Sequence, residues 1–178
     1  KISEDKKNLT NIENIKCDCI CVSGFWTPTI HLSSQSGNKT KFNQEIDAFI
    51  PSQPKQKETT LGSANGVFTL EETLKTSFEK GSELSKKITN NDNKITVPTV
   101  VEKKSANHDK FWCVPLPEGK NCKRFLDFQN DVSVSDIHLA LREGYRSIEH
   151  VKRYTTLGMA TDQGKTSNLN GLQLVSDF

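Results

Sequence analysis

The chain has little apolar side chain to spare. Hydrophobic residues make up 33% of its 178 positions, which is lean for a globular protein. It also lacks a charge bias, with 24 basic against 22 acidic residues and a net charge of +2. A phosphate backbone is held by a basic field and counterion release, so this balance argues against nucleic acid as a partner. No apolar run approaches the about 18 residues that span a bilayer, so no membrane segment is expected. No signal peptide is legible. The first residue is Lys1 and the single methionine is Met159, so the chain is expected to be cut from something longer. The four histidines, His31, His108, His138 and His150, are scattered and none has zinc spacing with two cysteines; a surface or hydrogen-bonding role is favoured. No Ser/His/Asp or Cys/His nucleophile pairing is present, so no catalytic residue is assigned. The Gly-x-Gly-x-x-Gly fingerprint of a dinucleotide site is also missing.

What is there is a chain long enough for one ordinary domain or two small ones. Five cysteines are an odd count, and Cys17, Cys19 and Cys21 alternate in one short run. They would share one face of a strand and do not form a secreted disulfide framework. A reducing cytoplasm is the simplest location. Residues 1–14 read as a polar hairpin or loop. Cys17 to Ser23 reads as a buried strand stopped by Gly24, and Phe25 to Gln35 as an extended connection through Pro28. Ser36 to Lys57 reads as a loop or weak helix with a small apolar patch at Ile46, Phe49 and Ile50. Leu70 to about Ile88 is the clearest helix. Thr69 and Glu72 form a capping-box pattern, and Leu70, Leu74, Phe78, Gly81, Leu84 and Ile88 fall on one face.

Asn90 to Asp109 has almost no apolar periodicity and reads as a linker. Beyond it come an extended apolar stretch, Phe111 to Leu116, and a strand at Arg124 to Phe128. A second helix follows, capped by Ser133 and Asp136, with Val134, Ile137 and Leu141 inward, and Gly144 ends it. A third is capped by Ser147, with Ile148, Val151 and Tyr154 inward, and is closed by Gly158. Met159 to Gly171 is polar. The expected domains are 1–105 and 106–178.

Two constellations carry chemistry. In the first, a strand ends in Ser23-Gly24, and Leu-Gly-Ser-Ala-Asn-Gly at residues 61–66 leads into the long helix. Glycine lets a backbone approach a ligand closely, and a helix N-terminus offers N–H groups and a positive dipole end to phosphate. A tight turn before a capped helix explains the same residues. Together the two segments resemble the last part of two-dinucleotide flavoprotein folds, with Asn65 where such folds usually place an acidic residue. The resemblance makes Ser23, Gly24, Gly62, Asn65 and Gly66 candidate cofactor-binding residues.

The second constellation lies at residues 127–167. Asp-Phe-Gln-Asn-Asp-Val-Ser, two short helices and Gly-Met-Ala-Thr-Asp-Gln-Gly-Lys resemble a small helical domain of bacterioferritin-associated-ferredoxin type. Four cysteines there hold a 2Fe–2S cluster. The matching positions in this chain are Asp127, Gln129, Asp162 and Ser167, and none is a thiolate. Iron–sulfur chemistry needs soft sulfur ligands, so a module that has kept its shape without a cluster is expected, and no metal ligand is assigned. Cys113 and Cys122 lie off the motif and read as buried thiols. Asp127 and Asp162 would form either a small polar or cation site, or a water-mediated contact.

Three stretches, 151–168, 125–132 and 142–150, are very similar to sarcosine oxidase alpha subunits. So is Val-Ser-Gly-Phe-Trp-Thr-Pro-Thr-Ile-His-Leu at 22–32, with Phe25 in place of a usual glycine. This resemblance implies an α/β fold, the C-terminal part of a two-dinucleotide-binding (FAD/NAD) flavoprotein domain followed by a small mainly helical module. It implies an enzyme that oxidises sarcosine to glycine with flavin, passes the one-carbon unit to tetrahydrofolate or releases formaldehyde, and reduces oxygen to hydrogen peroxide. Amine oxidation would belong to the beta subunit. FMN would lie at the alpha–beta contact and NAD in the alpha subunit, FAD and tetrahydrofolate would be elsewhere, and the partners would be beta, gamma and delta subunits.

On that reading residues 152–167 form part of the FMN-side surface. Lys152, Arg153 and Lys165 would neutralise phosphate, while Thr155, Thr156, Thr161 and Ser167 would donate to it; Gln163 lies in the same stretch. The alternative for this stretch is a solvated helix end whose cations offset the dipole. For the whole chain, the alternatives are a subunit-interaction module that touches no cofactor, a stand-alone metal or cluster-binding module, and part of a related amine or amino-acid dehydrogenase subunit.

Overall fold

The structure, a computed structural model, describes residues 9–10, 12–22, 24, 26–90, 96–101 and 111–178. The expectations for residues 1–8, Ser23 and Phe25, and for linker positions 91–95 and 102–109, lie outside these. Contacts divide the chain into two units, Cys19–Ala106 on one hand and Lys1–Asp18 with Asn107–Phe178 on the other. The secondary structure is mixed, with helices and two separate two-stranded antiparallel sheets. No helix among the described residues is long and apolar enough to cross a membrane.

The strand expected at 17–23 does not form over its described residues, 17–22. They have no regular structure, and Cys17, Cys19 and Cys21 are exposed. Ile20 and Val22 are 79% and 82% exposed. A strand must place its N–H and C=O groups in a ladder, and none of 17–22 is in one. Alternation alone does not supply a partner. Cys122, expected to be buried, is exposed as well, while Cys113 is half-buried.

The first unit opens with α1 (His31–Gln35), a short helix in place of the expected extended chain. A hairpin follows, β1 (Thr40–Asn43) against β2 (Ala48–Pro51), where a loop or weak helix was expected. Its turn spans four residues, 44–47. The Asn43 carboxamide oxygen accepts from the Glu45 N–H at 2.9 Å and Asp47 sits at φ 45°. A turn of this kind carries no Asn-Gly signature to mark a hairpin. Phe42 and Phe49 meet edge to face across it, 5.3 Å between ring centres, and Ala48 and Ile50 are buried. Ser33, Asn38 and Glu58 form a hydrogen-bonded group that fastens the following loop to α1, and the Asn38 side chain also accepts from the Lys55 N–H at 2.7 Å.

A 3-10 turn (Gly62–Asn65) then leads to α2 (Leu70–Thr89). Glu71 and Glu72 in the first turn of α2 and Lys86 and Lys87 in the last complement its dipole. Asn90 caps the end at φ 53°. Thr69 takes the extended N-cap conformation, but its side chain makes no cap bond, so the expected capping box is absent. No residue of α2 is buried, and Leu70, Leu84 and Ile88 are exposed.

The second unit holds the larger core. β3 (Phe125–Asp127) pairs with β4 (Val132–Ser133). They are followed by α3 (Val134–Arg142), α4 (Ile148–Thr155) and α5 (Asn168–Asp177). Leu126, Val132, Val134, Ile137, Ala140, Val151, Leu157 and Leu174 pack together, with Leu141 and Ile148 at the margin.

The Ser133–Asp136 capping box is present. Asp136 accepts from the Ser133 N–H at 2.8 Å and from its hydroxyl at 2.7 Å. Gly144, at φ 96°, turns the chain out of α3, and the Tyr145 N–H returns to the Ala140 carbonyl at 3.1 Å. Two expectations for α4 are corrected. Tyr154 is exposed and lies 4.8 Å from the Tyr145 ring instead of pointing inward. The helix is closed by Thr156 at φ 63°, before Gly158 is reached. The polar stretch 159–171 also runs into α5, which buries Gly171 and Leu174.

Candidate functional site

The site is built on the turn between β3 and β4 and on the loop that joins α4 to α5. Asp127, at the end of β3, is 3% exposed. A buried carboxylate is costly unless its lone pairs are filled. Here the chain fills them. Oδ1 accepts from the Gln129 N–H at 2.9 Å and the Asn130 N–H at 3.1 Å. Oδ2 accepts from the Gly158 N–H at 2.8 Å and, more loosely, from the Ser167 hydroxyl at 3.5 Å. The two residues beside the turn reach the loop directly. The Asn130 side-chain amide donates to the Thr156 backbone carbonyl at 2.9 Å, and the Thr161 hydroxyl donates to the Gln129 side-chain oxygen Oε1 at 2.6 Å.

Residues 156–167 are shaped by backbone conformations that most side chains avoid. Thr156, Gly158, Gln163 and Gly164 all have positive φ, between 56° and 71°. A Cβ on Gly158 or Gly164 would collide with the Asn168 side chain, so only glycine fits there. The Asn168 amide donates to the Gln163 carbonyl at 3.4 Å, and its Oδ1 is buried without a partner. Asp162 organises the far side of the loop, accepting from the Thr166 hydroxyl at 2.7 Å and the Gly164 N–H at 3.1 Å. These bonds, the hydroxyl's first, hold its carboxyl below the usual carboxylate range.

The structure therefore brings Asp127 and Ser167 together, ties Gln129 to Thr161, and turns the Asp162 carboxylate into its own turn. Both oxygens of Asp127 are already occupied by donors of the chain. The four positions supply a carboxylate pair, an amide and a hydroxyl, a donor set that does not fit an iron–sulfur cluster. Among the described residues no three His, Cys, Asp or Glu side chains are placed to hold a metal ion.

Of the residues expected to face FMN, the hydroxyls serve the module itself. Thr155 donates to the Val151 carbonyl at 2.7 Å and Thr156 to the Thr155 carbonyl at 2.6 Å. Thr161 and Ser167 donate to Gln129 and Asp127 as described. Lys152 is half-buried, whereas Arg153, Gln163 and Lys165 are exposed. Lys152, Arg153 and Lys165 make no ion pair with a carboxylate among the described residues.

The turn of the first constellation is packed against its own unit. A Cβ on Gly66 would lie 2.7 Å from Ile46 Cδ1, and one on Gly62 would lie 3.0 Å from Thr73 Cγ2. The close approach that glycine permits is made by the chain's own side chains. Asn65 is exposed, a Cβ on Gly24 would meet no atom of the described residues within 4 Å, and Ser23 lies outside the described residues. Sequence reasoning missed Asn130, Gly158 and Asn168. The Asx-turn potential of Asp127 and the two glycines spaced around a polar loop were the available signals.

Residues 121–178 match the family described as the sarcosine oxidase A3 domain. The chain is 36% identical over 170 residues, 92% of its length, to the sarcosine oxidase subunit alpha of Rhizobium meliloti (strain 1021). It is 28% identical over 189 residues to the subunit alpha of Corynebacterium sp. (strain U-96), and 28% identical over 180 residues to that of strain P-1. It spans 16% to 18% of the length of these relatives.

Proposed function

We propose that this chain, which belongs with the sarcosine oxidase alpha subunits and carries their A3 domain at residues 121–178, is a cofactor-supporting segment of a flavin-dependent sarcosine oxidase. The whole enzyme would demethylate sarcosine oxidatively to glycine, passing the one-carbon unit to tetrahydrofolate or releasing it as formaldehyde, with oxygen reduced to hydrogen peroxide. The observation that supports a supporting role is the closed network around Asp127. The positions that resemble cluster ligands are spent on holding a loop.

FMN, when bound, supplies the electron transfer; the chain's own residues position it. Lys152 and Arg153 in the last turn of α4, with Lys165 on the loop, carry positive charge without carboxylate partners and fit an anionic phosphate. The hydroxyls of Thr155, Thr156, Thr161 and Ser167 hold the loop in shape, so the neutralisation falls to the cations. At residues 62–66 the glycine faces are filled, and no NAD contact is assigned to them. NAD, FAD and tetrahydrofolate would belong to other parts of the assembled enzyme, with beta, gamma and delta subunits as partners in the cytoplasm.

The test is co-expression of the full-length parent with its neighbouring subunits, followed by measurement of bound FMN and of peroxide formed with sarcosine. FMN with sarcosine-dependent peroxide is the expected result. FMN without activity on sarcosine moves the proposal to another secondary amine. Absence of flavin removes it. A second reading, a segment that only bridges subunits, is favoured by the uncovered apolar face of α2. That reading expects complex formation to fail when Leu84 and Ile88 are made polar while FMN content per assembled complex is unchanged.

A further inference from the structure

We infer that Cys19 and Cys21 form a redox-active dithiol, which hydrogen peroxide closes to a disulfide and thiol reductants reopen. This goes beyond the proposed function and does not depend on it. Cys19 and Cys21 stand two residues apart in one unit, and both are exposed. Cys17, also exposed, falls in the other unit. The remaining two cysteines are not spaced this way. Cys113 is half-buried, with the Arg124 guanidinium donating to its sulfur at 3.1 Å, and Cys122 is exposed.

The missing ladder decides whether the ring can close. Along a strand, residues i and i+2 lie about 6.6–6.8 Å apart between Cα atoms. A disulfide usually holds its Cα atoms about 4.4–6.8 Å apart, most often near the middle of that range. An extended chain therefore sits at the outer limit, and closure bends the backbone. A strand in a ladder resists the bend, because its N–H and C=O groups are committed to neighbours. Residues 17–22 are in no ladder, so the bend breaks no sheet hydrogen bond. Ile20, between the two thiols, is 79% exposed, so little packing opposes it. Exposed disulfides are the readily reduced, regulatory ones.

In the first step one thiolate attacks a peroxide oxygen. The O–O bond breaks, a sulfenic acid forms, and hydroxide leaves and takes up a proton to become water. The second thiolate then attacks the sulfenic sulfur. The S–O bond breaks, the S–S bond forms and a second water leaves. Two thiols are oxidised and one peroxide is reduced to two waters. Two thiols of a glutathione-type reductant restore the pair by exchange and leave as their own disulfide. Peroxide is also the product that the proposed function gives to the whole enzyme, so the pair would meet its oxidant during turnover.

The experiment takes the full-length parent, co-expressed with its partner subunits and reduced beforehand. It is treated with added hydrogen peroxide at a concentration that oxidises a free dithiol, then alkylated and digested with trypsin. Because peroxide is added, the outcome does not hang on activity towards sarcosine. Residues 17–39, between Lys16 and Lys39, form one tryptic peptide with three cysteines. The expected result is one alkyl group on this peptide after peroxide, and three when dithiothreitol precedes alkylation. Cys17→Ser should keep the disulfide, whereas Cys19→Ser and Cys21→Ser should each lose it. All three variants change an exposed side chain, so folding is spared.

Three alkyl groups after peroxide would overturn the inference, since the thiols would then be out of reach or held apart. So would sulfinic acid in place of the bond, a bond to another chain, or a bond that survives Cys21→Ser.

Discussion

Helices α2 and α3 carry the same kind of message and meet different fates. Both are amphipathic, both begin with acidic residues and both end with basic ones. In α3 the apolar stripe becomes core, with Val134 3% exposed and Ile137 and Ala140 at 0%. In α2, more than twice as long, nothing is buried, and Ile88 is 81% exposed. The difference lies in the neighbours. β4, α4 and α5 follow or precede α3 closely in sequence and supply Val132, Val151 and Leu174 to the same cluster. Within its unit α2 packs against the 3-10 turn, and the hairpin buries its own Ala48 and Ile50. Periodicity states that a helix has a face to cover, and it does not state what covers it.

The comparison breaks most visibly at Ile137. Ile137→Ala removes a fully buried side chain and should cost about 2–5 kcal/mol, read as a lower midpoint in urea unfolding of the chain. A cost near zero would mean the second unit has no packed core. Gly158→Ala comes next. It forces a side chain into a left-handed backbone against Asn168, and should cost at least about 1–2 kcal/mol. The mirror experiment is Leu84→Ser on α2. With the face uncovered, the change should stay within about 0.5 kcal/mol. A cost of core size would show that this face is covered in solution.

The smallest effect is the pH response of α2. Glu83 accepts from Lys80 and Lys87, each at 2.6 Å, and these bonds lower its pKa from 4.5 to about 2. A carboxyl whose folded pKa is depressed stabilises above its unfolded value and loses that contribution as the pH falls through its folded one. Helicity at 70–89 should therefore decline between pH 4.5 and about 2, and added salt should shrink the change because the group is exposed. Circular dichroism of the Glu83→Gln variant, which should lack the transition, checks it.

The helices were legible where local sequence decides. Leu70 to Thr89, the Ser133–Asp136 capping box and the Gly144 exit each follow from residues within a turn of one another. The hairpin at 40–51 was not, because its four-residue turn carries no glycine and its strands are short. Residues 17–22 show the opposite failure, since a strand-like pattern formed no ladder. In the site, the sequence marked Asp127, Gln129, Asp162 and Ser167 as a set, and the structure joins Asp127 to Ser167. What could not be read was the direction of the donors. Thr155, Thr156, Thr161 and Ser167 have the chemistry to bind phosphate, and only the fold shows that their protons go to acceptors of the chain itself.

Hydrogen exchange along the whole chain, resolved peptide by peptide, tests the division most directly. Strong protection is predicted for peptides covering 126–127, 134–142, 151–158 and 171–174, with fast exchange along 70–89. Protection along α2 equal to that of α3 would contradict the account, because it would place a cover over the helix face that the fold leaves open.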